Sequence, residues 1–389
     1  MKSKFLAVAL TSVLAAGSLA GTAFPVKAST SANQTYLVAF KQKLPPDYQS
    51  IISKSGGKVL RALPEIGGLE VQSTDPSFLD NLKGISADVQ AANVEARHKL
   101  DDEQPSAADG QPVTDIPQPN KTSSYWQYQW DIQRITHNGD SYRKETGGVK
   151  NPNGTVTHKA VVGVIDTGID ANHPDLQVNF LGGRNMVPAG VDAGETGDPT
   201  DVKDRQGHGT HVAGSIAANG KVKGVGPDLG IRSYRVFPMA DGAATAWIVD
   251  GIVAASNDKV DVINMSIGGY DSMKYLYNGE KQSDIADAVL WERAVEYAVN
   301  HNVTVVAAAG NESLNLDDKK AVIDYMNQNN TIPGVVYEGK PLETPGTSNL
   351  KSYALLHGTS MASPKVAGIG GNHKGSKSKS IPFPGCLAH

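Results

Sequence analysis

From Lys159 onward the chain alternates short apolar runs with amphipathic stretches. Val161–Ile165, Ile231–Val236, Val260–Met265 and Val303–Ala308 are of strand length and rich in β-branched residues, as strands buried on both faces are. Between and after them Thr210–Ala218, Ala246–Ser256 and Asp284–Asn300 place apolar residues three and four apart and read as helices. This alternation predicts an α/β fold: a mainly parallel sheet with helices on both faces, reactive side chains standing at the carboxyl ends of strands. Upstream the pattern differs. Tyr36–Phe40, Lys58–Leu63 and Gly68–Gln72 read as strands, Pro45–Ser55 as a helix, and Asp75–Leu82 as a helix capped by Asp75 with Pro76 at its first position. That β-α-β-β-α order suits a small ferredoxin-like α+β domain. Asp101–Thr122, rich in Pro, Asp, Gln and Ser, is a solvated linker between the two, and the aromatics of Tyr125–Trp130 anchor the start of the larger domain.

Composition changes this picture little. The chain has 389 residues, 39% hydrophobic and 20% charged, enough for one large and one small domain. A net charge of −4 gives no electrostatic reason to expect nucleic acid as a partner. Met1–Ala28 carries Lys2 and Lys4, an uncharged apolar run from Phe5, and small residues around Val26-Lys27-Ala28, as a secretory signal peptide does. An uncleaved anchor is the rival, against which Gly17, Gly21 and Pro25 argue. Cleavage after Ala28 would leave a secreted, extracellular protein with no stable membrane insertion. The single cysteine, Cys386, leaves no intramolecular disulfide to form.

The candidate chemistry centres on Gly358-Thr359-Ser360-Met361-Ala362-Ser363-Pro364, where a glycine precedes a serine at the start of a helix. A serine hydroxyl becomes a nucleophile only beside a base. Gly207-His208-Gly209-Thr210-His211 offers the base and Val164-Ile165-Asp166-Thr167-Gly168 a carboxylate to orient it. Ala308-Ala309-Gly310-Asn311 offers a side-chain N–H for an oxyanion. Other readings exist for each piece. Asp166 in Asp-Thr-Gly could serve an aspartic protease, but no second Asp-Thr-Gly occurs. His208 and His211 could hold zinc, but the glutamate of the zinc-protease helix is missing. Ser360 lies outside any Gly-x-Ser-x-Gly elbow.

The four motifs together, in the order Asp, His, Asn, Ser over Val161–Gly368, resemble those of subtilisin-like serine proteases, the subtilases. The resemblance implies a triad of Asp166, His208 and Ser360 with Asn311 in the oxyanion hole. It also implies polypeptide substrates contacted by Ser266, Ile267, Gly268, Ala308 and Gly310. No cofactor is required for that chemistry. Asn172-His173-Pro174-Asp175 resembles a calcium-binding segment of the family, which makes Asp175 a candidate ligand for a structural calcium. The expected organisation is a signal peptide (1–28), an inhibitory propeptide (29–100), a linker with the processing site (101–122), a catalytic domain (123–368) and an atypical tail (369–389). The propeptide would be the chain's own intramolecular partner. Segments Gly224–Phe237 and Val260–Gly269 are also similar to subtilases that trim lantibiotic leader peptides.

Two stretches depart from the family. Asp317–Lys351 is mostly polar and looks shortened, with only Ile332–Tyr337 strand-like. After Gly368 the sequence Gly370-Gly371-Asn372-His373-Lys374-Gly375 is expected to end the serine helix, since an interior glycine costs about 1 kcal/mol. A truncated, inactive remnant is therefore an alternative to an active peptidase.

Overall fold

A computed structural model describes residues 33–98, 100, 124–239, 242–272, 274–277, 279–308, 310–311, 315, 317–328, 335–338, 341–344 and 359–376. The expected signal peptide, the linker and Cys386 lie outside these residues. The amino-terminal unit runs β1 (Gln34–Phe40), α1 (Tyr48–Lys54), β2 (Gly57–Leu63), β3 (Gly68–Ser73), α2 (Phe78–Ile85) and β4 (Val89–Val94). Its antiparallel sheet has the order β2-β3-β1-β4, the split β-α-β arrangement of ferredoxin-like domains. One face packs Tyr36, Val38, Phe40 and Val71 against Ile52, Phe78 and Leu82 of its own helices. The other face gives Leu37, Ala39, Leu63 and Ile66 to the core of the larger unit. β1 is apolar almost throughout because both of its faces are covered. β4 and the short β5 (Arg97–His98) escaped the sequence pattern, β4 because Val-Gln-Ala-Ala-Asn-Val has little β-branched character.

After α3 (Trp130–Ile135) and the hairpin β6 (Gly148–Lys150) and β7 (Val156–His158), the larger unit builds its sheet from β8 (Val161–Asp166), β9 (Phe180–Asn185), β10 (Gly230–Arg235), β12 (Val262–Met265) and β16 (Thr304–Ala307). These five strands are parallel in the order β16-β12-β8-β10-β9. Alternation along β8 sorts its side chains. Val162 and Val164 pack with Val212, Ala213 and Ile216 of α4 (His208–Ala217) and with Ala367. Ile165 turns to the opposite face, which holds Trp247, Ile248 and Ile252 of α5 (Thr245–Asn257) and Leu290 and Ala294 of α6 (Ile285–Asn300). A two-residue strand β11 (Ala243–Ala244) precedes α5. The expected parallel sheet covered on both faces is thus present. β9 was not anticipated, because Phe-Leu-Gly-Gly-Arg-Asn at a sheet edge carries few apolar residues.

The remaining described residues include β13 (Gly269–Ser272), β14 (Tyr275–Tyr277), β15 (Glu280–Gln282), α7 (Lys319–Gln328), β17 (Val335–Tyr337), β18 (Pro341–Thr344) and α8 (Thr359–Ser376). Within the stretch that looked shortened, β17 supplies the anticipated strand and β18 pairs with β13. The serine helix does not stop at Gly368 but continues to Ser376. The glycines permit this because a Cβ at Gly371 would lie 2.9 Å from Leu229 and 3.3 Å from Val162, so the helix rests directly on the sheet. Lys374 then donates to the carbonyls of Asp261 and Asn302, and Asn372 to that of Val225. The polar ending is therefore used as a clamp across strand ends.

Candidate active site

The sheet register lines up the site. Ile165 pairs with Met265 and Met265 with Ala307, so the next residues, Asp166, Ser266 and Ala308, end three adjacent parallel strands side by side. Asp166 is 1% exposed and accepts the amide of Thr167 at 2.7 Å through Oδ1. His208 opens α4 directly after Gly207, whose φ of +97° favours glycine. Its ring is fully buried, and Nδ1 lies 2.6 Å from Asp166 Oδ1. That contact puts the ring proton at Nδ1 and makes Nε2 the basic nitrogen. Such proximity requires Gly209, since a Cβ there would stand 2.2 Å from the Gly168 carbonyl and 3.1 Å from Asp166 Oδ1.

Ser360 stands in the first turn of α8, which packs against α4, β8 and β12. Ser363, one turn further on, shares a hydrogen bond of 3.0 Å with Ser266 Oγ, which also accepts from Asn264 Nδ2 at 3.1 Å. Lys365 pairs with Asp131 of α3 at 2.7 Å. α8 is thus held to the sheet and to the start of the larger unit. The fully buried Ser266 hydroxyl is committed to this staple, a use of its side chain that the sequence did not reveal. Ile267, Gly268 and Ala308 are buried beside it. Gly310, in the left-handed conformation at φ +90°, leads into Asn311, which is exposed beyond the carboxyl end of β16.

Asp175, the candidate metal ligand, is buried and bonded to a neighbouring turn. Its Oδ2 accepts the amide of Val222 at 2.8 Å, its carbonyl accepts that of Asn219, and Gly220 folds against Oδ1. One oxygen of the carboxylate thus accepts an amide from the short turn between Asn219 and Lys223. Among the described residues no group of three or more His, Cys, Asp or Glu is placed to hold a metal.

The small domain contacts the larger unit through its last strand. β5 pairs antiparallel with β11, Ala243 opposite His98 and Ala244 opposite Arg97, and the Arg97 guanidinium lies 4.5 Å above the Trp247 ring. Glu95 Oε1 accepts the amide of Ala246 at the start of α5. Asn93 accepts that of Ala286 at the start of α6 and donates to Asp287. Both helix starts are thereby capped from the neighbouring domain. His98 contacts Thr245 Oγ1 at 2.8 Å and meets Trp291 edge-on. Burial, aided by Arg97, pushes its ring down to about 4. Burial and then Glu70 push the Glu95 carboxyl well up. Burial and then Asp287 raise Asp284 to about 7.

Fold and site together define a parallel α/β chain with a buried imidazole–carboxylate pair beside a serine-bearing helix. The chain belongs to the subtilase family, whose signature matches residues 157–379. It is 37% identical over 222 residues to the nisin leader peptide-processing serine protease NisP of Lactococcus lactis subsp. lactis, covering 55% of this chain and 31% of that protein. It is 34% identical over 229 residues to the epidermin leader peptide-processing serine protease EpiP of Staphylococcus epidermidis, covering 56% of this chain and 46% of that protein. The chain therefore spans less than half the length of these two relatives. The crystal structure of EpiP from Staphylococcus aureus superposes with a TM-score of 0.66 at 25% identity over 87% of each chain.

Proposed function

We propose that this chain is a secreted serine endopeptidase, made as a self-processing zymogen, whose substrate is the leader of a precursor peptide. The observation that carries the reading is the 2.6 Å contact between His208 Nδ1 and Asp166 Oδ1, fully buried at the mouth of the parallel sheet next to the helix of Ser360. Ser360 Oγ attacks the scissile carbonyl while His208 Nε2 takes its proton. The proton then passes to the leaving amine as the acyl-enzyme forms, and water, deprotonated by His208, completes hydrolysis. Asp166 holds the ring and stabilises the imidazolium. Asn311 and the amide of Ser360 receive the oxyanion. No metal takes part in these steps. Substrate lies extended along Ser266–Gly268 and Ala308–Gly310 by backbone pairing.

The antiparallel pairing of β5 with β11 supports a zymogen, because a strand from the small domain already lies on an edge of the catalytic unit. Residues 101–122 follow it and would carry the processing site. Similarity to two leader-processing proteases favours a dedicated precursor over proteins at large. Intact mass of the purified chain, with Ser360→Ala in parallel, tests the proposal. Cleavage of the parent within 101–122 and an uncut Ser360→Ala chain are expected. An uncut, loosely folded parent would instead identify an inactive remnant. Cleavage of casein as fast as of a lanthipeptide precursor would remove the dedicated-substrate part.

A further inference from the structure

His208 stands on the first residue of its helix, where amides have no intrahelical acceptor and the end tends to fray. The residue at the cap, Gly207, has no side chain with which to close it. A base on a fraying end could not hold a fixed distance to Asp166. What closes the end is Asp204, a 9%-exposed carboxylate that neither the triad nor the substrate edge uses. Its Oδ1 accepts the amides of Gln206 at 2.9 Å and Gly207 at 2.7 Å and the hydroxyl of Thr167 at 2.9 Å. Its Oδ2 accepts the amide of Thr210 at 2.9 Å and the Thr210 hydroxyl at 2.6 Å. Thr167 Oγ1 in turn accepts the amide of Gly209 at 2.9 Å. A negative charge at this place also complements the helix dipole.

The contacts form a closed ring. One arm runs from Asp204 through the start of α4 to His208. The other runs from Asp204 through Thr167, whose amide holds Asp166 Oδ1, to the carboxylate that His208 touches. A cap serving helix stability alone would need only the Thr210 and Gly207 bonds. The Thr167 link adds strand β8 to the same carboxylate and so fixes the separation of the two triad members.

We propose that Asp204, acting through Thr167, is the positioning residue that sets His208 against Asp166; this rests on the peptidase reading above. In active protein, Asp204→Ala and Thr167→Val each lower kcat about 10- to 100-fold with KM within about twofold, the penalty expected when a catalytic group shifts by around an ångström. Thr167→Ser, which keeps the hydroxyl, restores kcat. In a His208→Ala background Asp204→Ala adds no further loss, because no base remains to be positioned. The second readout needs no activity: in the full-length Ser360→Ala chain, the far-downfield proton resonance of His208 Nδ1–H weakens or shifts with Asp204→Ala and Thr167→Val and returns with Thr167→Ser. An unchanged resonance, an additive loss in the His208→Ala background, or equal behaviour of Thr167→Val and Thr167→Ser overturns the proposal. If Asp204→Ala does not fold, the Thr167 pair decides. A parent without peptidase activity refutes the catalytic reading alone, and the resonance still decides the positioning.

Discussion

His98 should make the docking of the small domain sensitive to acid. Its ring is sealed between Thr245 and Trp291, and burial takes its pKa from 6.5 to about 4. Because the folded value is the lower one, His98 favours the folded, docked state fully above pH 6.5, and that contribution is lost as pH falls from 6.5 towards 4. At pH 5 the released ring is almost wholly protonated and the buried ring almost wholly neutral. The populations then differ by about 30-fold, or about 2 kcal/mol. Glu95 works in the other direction: its raised pKa gives stability at low pH that is lost as pH rises. A difference measurement isolates the histidine, since Glu95 is common to both proteins. In the Ser360→Ala background, His98→Gln keeps a polar partner for Thr245 but cannot titrate. Urea unfolding followed by tryptophan fluorescence, with Trp291 beside the ring, should show the parent losing about 2 kcal/mol more than His98→Gln between pH 7.5 and pH 5. Equal pH slopes in the two proteins would refute the reasoning.

Three other substitutions probe the frame around the site. Gly371→Val drives a side chain into Leu229 and Val162 under α8 and should lower stability by about 1–3 kcal/mol, seen as a fall in the thermal midpoint together with loss of processing. Arg235→Met leaves the Glu195 carboxylate, to which Arg235 is doubly bonded, buried without its cation, and should cost about 3–5 kcal/mol in denaturant unfolding. Replacing Glu195 by Gln as well should recover much of that loss. Ser266→Ala removes the staple to Ser363, costs about 1 kcal/mol by the same measurement, and should slow turnover more than it weakens substrate binding.

The parallel sheet was legible in the sequence because its central strands, buried on both faces, must be apolar throughout. β8 and β12 show this, and each ends where a reactive or aligned residue begins. The edge strand β9 and the terminal strand β4 were not legible, since a strand at a sheet edge tolerates Gly, Arg, Gln or Asn at a small cost that neighbouring packing offsets. The glycine-rich end of α8 misled for a related reason. Composition weighs a glycine by its helix propensity, whereas Gly371 is set by the 2.9 Å that a Cβ would leave to Leu229. Asp175 was a candidate ligand through the resemblance of Asn172–Asp175 to a calcium-binding segment. In the structure one of its oxygens accepts the amide of Val222 from the turn between Asn219 and Lys223, a pairing no local pattern shows.

The sequence by itself determined the class of fold and the family and singled out the candidate residues for the chemistry, because local runs and motifs fix which side chain ends which element. Only the tertiary structure decided how those residues are held. The 2.6 Å contact of His208 with Asp166, the Asp204 ring around it, the Ser266–Ser363 staple and the capping of α5 and α6 by Glu95 and Asn93 all join residues from different elements. No local pattern encodes such pairings, since each depends on the register of the parallel strands and on the faces against which the helices pack.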